Sequence, residues 1–257
     1  MDDLRIKDLV VEYSDGGDAI RPIDGLDLKI TAGSLVIVLG PSGCGKTTLL
    51  SCLGGILSPT SGCIEFGDVE VTALDRRELI AYRRHTVGIV FQMFNLVPSL
   101  TALENVMVPM WAAGWSQRVA RERAHELLTR VGLQDRMTHR PGDLSGGQQQ
   151  RVAFARAIAL DPRLILADEP TAHLDFVQVE DVLRLLRELA TGGGGVGSLL
   201  HHCLAPLGRF QAAFVGDVVS DVGAEAVVAP VGAGGGLRAL RVAEQIAQIK
   251  RKALARP

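Results

Sequence analysis

The sequence predicts an α/β fold with a mostly parallel sheet, and three observations support this prediction. An apolar run at residues 35–39 leads into a glycine-rich loop, a second apolar run at residues 164–167 ends in two acids, and helical segments alternate with such runs. The 257 residues are 47% hydrophobic, which is enough for a sizeable core. We also expect an antiparallel β part near the N-terminus and an inserted α-helical subdomain at residues 93–158.

The glycine-rich loop follows the pattern G-x-x-x-x-G-K-[ST], which is typical of a P-loop NTPase core. Its backbone N–H groups should turn inward, and the helix that continues through Thr48 should point its positive end at an anion. We expect Lys46 to reach the β- and γ-phosphates of ATP and Thr47 to ligate Mg²⁺. A glycine-rich turn that matches by chance is the alternative, but the strand, loop and helix context agrees with the pattern. The loop residues are Gly40, Pro41, Ser42, Gly43, Cys44, Gly45, Lys46 and Thr47.

The second apolar run ends in Asp168 and Glu169, whose side chains point to opposite sides if the strand continues. Asp168 is therefore the candidate for the Mg²⁺ shell, and Glu169 for orienting or deprotonating the attacking water. Taken alone, such a pair is often only the solvated end of a strand. The glycine-rich loop upstream favours the catalytic interpretation.

A third motif, Leu144, Ser145, Gly146, Gly147 and Gln148, precedes a predicted helix at residues 149–160. With the two motifs above, in this order, it resembles the nucleotide-binding subunits of ATP-binding cassette (ABC) transporters over roughly residues 4–202. The resemblance implies that this segment binds the γ-phosphate of a nucleotide held by a second subunit, so a homodimer is expected. Ser145 is also expected to cap the helix, and phosphate binding by this segment needs the same cap.

Three smaller motifs fall where the resemblance places them. Tyr13 resembles the aromatic residue that stacks on adenine, although a tyrosine in a short N-terminal strand can also be a packing residue. Gln92 resembles the glutamine that touches Mg²⁺ or water and leads into the segment facing the membrane partner. Asp175 resembles the residue that joins the two subunits across the nucleotide, and a helix-capping role is the alternative.

The resemblance also implies a switch histidine, for which spacing favours His201. The surrounding residues 196–203 depart from the family pattern, because a β-branched strand and a following acid are missing. Beyond Val196 the composition shifts to Ala, Gly and Val, which a divergent natural tail or a displaced reading frame in the gene would explain. We expect a cassette domain at residues 1–202, with its core at 1–92 and 159–202. The tail at 203–257 then ends in a basic helix.

Composition excludes several classes of partner and location. The net charge of −2 and pI near 6.3 argue against a nucleic-acid surface. The four cysteines show no metal-binding spacing, which suits a reducing compartment. We expect no cleavable signal peptide, and the sequence has no apolar run of about 18 residues. We therefore expect a cytoplasmic protein held at the inner face of the membrane by a permease.

The expected function is ATP hydrolysis that energises a separate membrane permease. Residues 93–113 resemble ATPases of the lipoprotein-release and macrolide-export type, and polar amino-acid importers carry a similar stretch. A catalytically impaired nucleotide-binding module and a soluble ATPase outside transport are the alternatives.

Overall fold

The computed structural model describes residues 3–15, 18–33, 35–40, 43–168, 197–203 and 225–228. The strands are β1 (Leu4–Asp15), β2 (Asp18–Ile30), β3 (Leu35–Gly40), β4 (Ser61–Phe66), β5 (Val69–Glu70), β6 (Val87–Val90), β7 (Leu164–Asp168), β8 (Gly197–Cys203) and β9 (Glu225–Val228). The helices are α1 (Lys46–Leu53), α2 (Arg76–His85), α3 (Ala102–Ala112), α4 (Gln117–Arg130) and α5 (Gly146–Ala157). Short 3₁₀ turns occupy Val71–Ala73, Gln134–Arg136 and Pro141–Asp143.

Two sheets organise these elements. The N-terminal sheet has the order β2-β1-β4-β5 with antiparallel pairing, and the second has the order β6-β7-β8-β3-β9 with parallel pairing. The antiparallel N-terminal part is thus confirmed. The expectation of a short N-terminal strand around Tyr13 is wrong, since β1 has 12 residues and pairs on both edges.

Strand β7 joins two hydrophobic cores within the described part of the chain. Leu164 and Leu166 belong to the cluster formed with β1–β4 and α1, whereas Ile165 and Ala167 belong to the cluster formed with α3, α4 and α5. Successive residues of a strand face opposite sides, so β7 is covered on both faces. This burial explains why its sequence is an unbroken apolar run that ends only at Asp168.

Helices α3, α4 and α5 lie between β6 and β7 in the chain and pack on one another around Met107, Met110, Leu127 and Phe154. Each begins at a side-chain cap, which supplies acceptors for the free N–H groups of its first turn. Helix α5 begins at Gly146, three residues before the predicted start. The Ser145 cap makes this possible, because it offsets the poor helix propensity of two glycines.

Two strands come from the part of the chain where the family resemblance weakens. Strand β8 lies between β7 and β3 and runs parallel to both. Strand β9 pairs with the other edge of β3, in the segment that the sequence assigned to a tail. The basic helix predicted at the end of the tail lies outside the described residues.

No helix in the described ranges is long and apolar enough to cross a membrane.

Candidate nucleotide-binding site

The phosphate loop connects β3 to α1, as the sequence pattern predicts. Gly43 and Gly45 have φ angles of +80° and +96°, a region that side chains other than glycine rarely adopt. At Gly45 a Cβ atom would also collide with the carbonyl oxygen of Pro22 on β2, whereas at Gly43 the space is open. The loop therefore lies against β2 at Gly45 and has no atom close by at Gly43. Pro41 and Ser42 lie outside the described residues.

Lys46 opens α1 directly behind the loop and is buried, with 4% of its surface exposed. Its Nζ atom lies 3.3 Å from the Sγ atom of Cys44. A lysine amine at the base of a glycine-rich phosphate loop is placed to donate hydrogen bonds to a bound phosphate. Gly45 caps this helix without a side-chain hydrogen bond, which leaves the helix N-terminus for a ligand.

Two of the three predicted magnesium ligands, Thr47 and Asp168, are in contact. Thr47 Oγ1 donates a hydrogen bond to Asp168 Oδ1 over 3.3 Å, although 121 positions separate the two residues in the chain. Thr47 is exposed and Asp168 is half-buried at the end of β7. Mg²⁺ prefers oxygen ligands and is usually held by one or two carboxylates together with substrate phosphates. The hydroxyl and the carboxylate therefore fit that ion, beside the phosphate loop.

Strand β8 brings His201 to the same edge of the sheet. In the parallel register His201 pairs with Asp168 of β7 and with Val38 of β3. The strand thus occupies the position between the phosphate-loop strand and the acidic strand, despite its unusual sequence. Glu169 and Asp175 fall outside the described residues.

The Ser145 motif forms the N-terminus of α5. Ser145 Oγ accepts a hydrogen bond from the Gln148 N–H at 3.3 Å, and Gln148 Oε1 accepts one from the Ser145 N–H at 2.9 Å. Ser145 is exposed, Gly146 and Gln148 are half-buried, and Gly147 is buried. Such a cap places backbone N–H groups and the positive helix end at the surface, where an anion carried by another molecule can reach them.

Gln92 lies in a tight turn after β6. The N–H of Phe94 donates to the Phe91 carbonyl at 3.0 Å, and Gln92 is exposed. On the other side of this turn, Arg156 of α5 donates to the carbonyls of Phe94 and Asn95. Sequence reasoning did not single out Arg156. The one available signal was a charged residue next to a run of buried apolar residues in α5.

Tyr13 lies near the end of β1, opposite Ile20 of β2. Tyr13 as a whole residue is 44% exposed, and Ile20 is 60% exposed. A tyrosine this open to solvent is available to stack on a planar ligand.

A separate cleft of about 400 Å³ lies where β6, α2, α3 and α5 meet. Its walls are mainly apolar, with three arginines among them. The lining residues are Ile80, Arg83, Arg84, Val87, Gly88, Ile89, Val108, Pro109, Ala112, Arg156, Ala157, Leu160 and Pro162.

Comparison with known proteins gives consistent results. Residues 23–172 match the sequence profile of the family described as ABC transporter. Two uncharacterized ABC transporter ATP-binding proteins of Mycobacterium tuberculosis strain H37Rv are each 72% identical over 192 residues, or 75% of this chain and 58% of theirs. The chain thus spans less than two thirds of their length.

More distant similarities include named proteins and solved structures. The lipoprotein-releasing system ATP-binding protein LolD of Idiomarina loihiensis is 45% identical over 186 residues, covering 72% of this chain and 82% of LolD. The dimeric post-hydrolysis structure of the ATP-binding cassette MJ0796 bound to ADP and Pi matches with a TM-score of 0.73 and 39% identity, over 77% of this chain and 88% of that one.

Proposed function

Because the chain belongs to the ABC transporter family as one of its ATPase cassettes, we propose that it hydrolyses Mg·ATP to drive a separate membrane permease. The observation that carries this proposal is the contact between Thr47 and Asp168 at the mouth of the phosphate loop. Two oxygen atoms that can ligate a metal ion lie beside a buried lysine and a helix N-terminus, and this arrangement suits a metal-bound triphosphate.

Each residue of the site has a distinct task in this mechanism. The loop N–H groups and Lys46 bind the phosphates and oppose their charge, while Thr47 and Asp168 hold Mg²⁺. When bound, Mg²⁺ supplies positive charge that stabilises the phosphoryl oxygens. Glu169 orients the attacking water and accepts its proton, with Gln92 and His201 at the γ-phosphate side. Tyr13 stacks on adenine.

The complete site requires a second copy of the chain. Ser145, Gly146, Gly147 and Gln148 of one copy bind the γ-phosphate held by the loop of the other, and Asp175 joins the two copies. The exposed, capped N-terminus of α5 supports this proposal, as does the dimeric state of the similar cassette MJ0796. ATP then favours the closed dimer because its γ-phosphate makes these contacts only there, and hydrolysis removes the preference.

The partner that receives the motion is a membrane permease, which holds the cassette at the inner membrane face. The cleft between α2, α3 and α5 is the docking surface we propose, since it is concave, mainly apolar and lined by β6, the strand that leads to Gln92. Export or lipoprotein release is the favoured direction, supported by residues 93–113 and by the similarity to LolD. Polar amino-acid import is the alternative type.

The decisive experiment is steady-state Mg·ATP hydrolysis by the purified full chain, beside a Glu169→Gln variant. We expect turnover in the wild type and a loss of at least about 100-fold in the variant, with ATP binding retained and the dimer accumulating. Wild-type turnover in Glu169→Gln contradicts the role of Glu169. Binding without turnover in both proteins indicates the alternative, a catalytically impaired nucleotide-binding module.

A pair of adjacent substitutions tests the strand β8. His201→Ala should abolish hydrolysis, whereas His202→Ala should leave most of it, because only position 201 is in register with Asp168. Equal losses in both variants would count against a switch role for His201.

The gene sequence tests the displaced reading frame. A neighbouring frame that encodes a valine-rich strand followed by Thr-His-Asp would support the displacement. An uninterrupted coding sequence without that reading would exclude it.

A further inference from the structure

Arg156 fastens the turn that carries Gln92 to helix α5. Its Nη1 atom donates to the Asn95 carbonyl and its Nη2 atom to the Phe94 carbonyl, both at 2.6 Å. These are short, charge-assisted hydrogen bonds, because the guanidinium donor is charged. The planar fork of the arginine is suited to two acceptors side by side, which a lysine cannot match.

The turn is held in an unusual conformation. Phe94 and Asn95 have φ angles of +57° and +49°, and both are residues with side chains. Asparagine tolerates this left-handed region, but phenylalanine seldom adopts it, so surrounding contacts must favour it. Backbone bonds close the turn from within, from the Phe94 N–H to the Phe91 carbonyl at 3.0 Å and from the Asn95 N–H to the Met93 carbonyl at 2.5 Å. From outside the turn, Arg156 supplies two hydrogen bonds, and the Phe94 side chain packs against the core formed with α3, α4 and α5.

Burying part of the charged Arg156 side chain costs free energy of desolvation. The side chain is partly buried, and this desolvation lowers the pKa of the guanidinium, although arginine remains charged. The guanidinium donates to two neutral carbonyls of the turn. A charged group kept at such a site indicates a contact whose geometry matters, since an apolar residue would fill the space at lower cost.

We propose that Arg156 is a positioning residue for Gln92, an inference that rests on the ATPase function proposed above. Arg156 stands eleven residues after Ser145, so about 16 Å of rigid helix separates the helix end that meets the partner's nucleotide from the turn that carries Gln92. A change in the direction of α5 on dimer closure therefore reaches the turn through two hydrogen bonds. The arginine sets where Gln92 lies relative to the γ-phosphate.

The test compares Arg156→Lys with Arg151→Lys in the full chain. Arg151 lies on the same helix, but five positions earlier and so on a different face. We expect Arg156→Lys to lower kcat on the order of 10-fold with the Kd for ATP unchanged, because misplacing a group near the reacting atoms affects the chemical step. Arg151→Lys should keep kcat within about 2-fold.

A double-mutant cycle separates positioning from general packing. On a Gln92→Ala background, Arg156→Lys should reduce kcat by less than about 2-fold, because the residue it positions is already absent. The full 10-fold loss on that background, an unchanged kcat in Arg156→Lys, or a wild-type kcat in Gln92→Ala would each overturn the proposal.

A second readout does not depend on hydrolysis. Hydrogen exchange of the Phe94 and Asn95 amides in the nucleotide-free protein should be at least about 10-fold faster in Arg156→Lys than in Arg151→Lys. If the wild type fails to hydrolyse ATP, the proposed function fails and the exchange rates still decide whether Arg156 fixes the turn. Equal rates in the two variants would refute the contact as the force that holds it.

Discussion

The buried amide of Asn105 gives a sharp prediction about stability. Asn105 lies in α3 with no exposed surface, and it organises the loop before that helix. Its Nδ2 atom lies 3.1 Å from the Val97 carbonyl, 3.2 Å from that of Leu100 and 3.0 Å from that of Thr101. Its Oδ1 atom accepts from the Val97 N–H at 2.7 Å. The amide thus acts as donor and acceptor at once.

Two substitutions remove different parts of this network. Asn105→Ala removes the side-chain partner of the Val97 N–H and of the Leu100 carbonyl, while the carbonyls of Val97 and Thr101 keep their bonds to the backbone N–H groups of residues 100 and 105. Nearby solvent relieves part of this loss, so we expect about 2–3 kcal/mol of destabilisation. Asn105→Asp keeps the bond from Val97 but points a buried charge at three carbonyl oxygens, which should cost about 3–5 kcal/mol.

Urea denaturation followed by circular dichroism measures this order. The expected midpoints fall from wild type to Asn105→Ala to Asn105→Asp, with a common m value. Gln134→Glu, which adds the same charge at an exposed position, should stay within about 0.5 kcal/mol of wild type. Packing alone predicts the opposite order, because aspartate conserves volume and alanine leaves a cavity. An Asn105→Asp variant as stable as Asn105→Ala would therefore refute the hydrogen-bond reasoning.

Three further predictions concern the nucleotide site. Gly45→Ala should abolish binding of a fluorescent ATP analogue, since the methyl group collides with β2, whereas Gly43→Ala, in open space, should weaken it less; the reverse order would contradict the geometry. An alkylating reagent should modify Cys44 and thereby block nucleotide binding. It should leave Cys52 unmodified, because burial raises the pKa of Cys52 to about 11 and leaves little reactive thiolate at lower pH. Mass spectrometry identifies the modified thiol, and full binding by protein alkylated at Cys44 would refute the prediction. Tyr13→Leu should weaken ATP affinity by about 5- to 150-fold, from a stacking energy of roughly 1–3 kcal/mol, with an unchanged thermal midpoint; unchanged affinity would leave Tyr13 a packing residue.

The sequence predicts the family and the N-terminal antiparallel part because local patterns encode them. The glycine-rich loop and the acidic strand each identify one partner of the Thr47–Asp168 contact, which the structure places at 3.3 Å. No sequence pattern predicts a contact between residues 121 positions apart. The topology predicts it, because the carboxyl ends of parallel strands lie at one edge of the sheet. The catalytic roles of these residues remain predictions.

Other features could not be predicted, because they depend on contacts between distant segments. Arg156 and Asn105 act on backbone carbonyls, which carry no residue identity and so leave no motif. Strand β9 has only four residues, in a segment rich in small residues, and its pairing with β3 gives it a place in the sheet. The early start of α5 depends on the cap at Ser145, where local geometry overrides the helix propensity of glycine.

The two ends of α5 are held differently, and this difference suggests how the cassette moves. At the C-terminal end, a Cβ atom on Gly88 would collide with the Ala157 carbonyl, so α5 and β6 touch backbone to backbone. Arg156, one residue earlier, fixes the turn after β6. At the other end, the cap of Ser145 is exposed and bonds within its own turn. In the dimer proposed above, contact between Ser145 and the partner's nucleotide should turn α5 about its C-terminal contacts and so redirect the turn that carries Gln92.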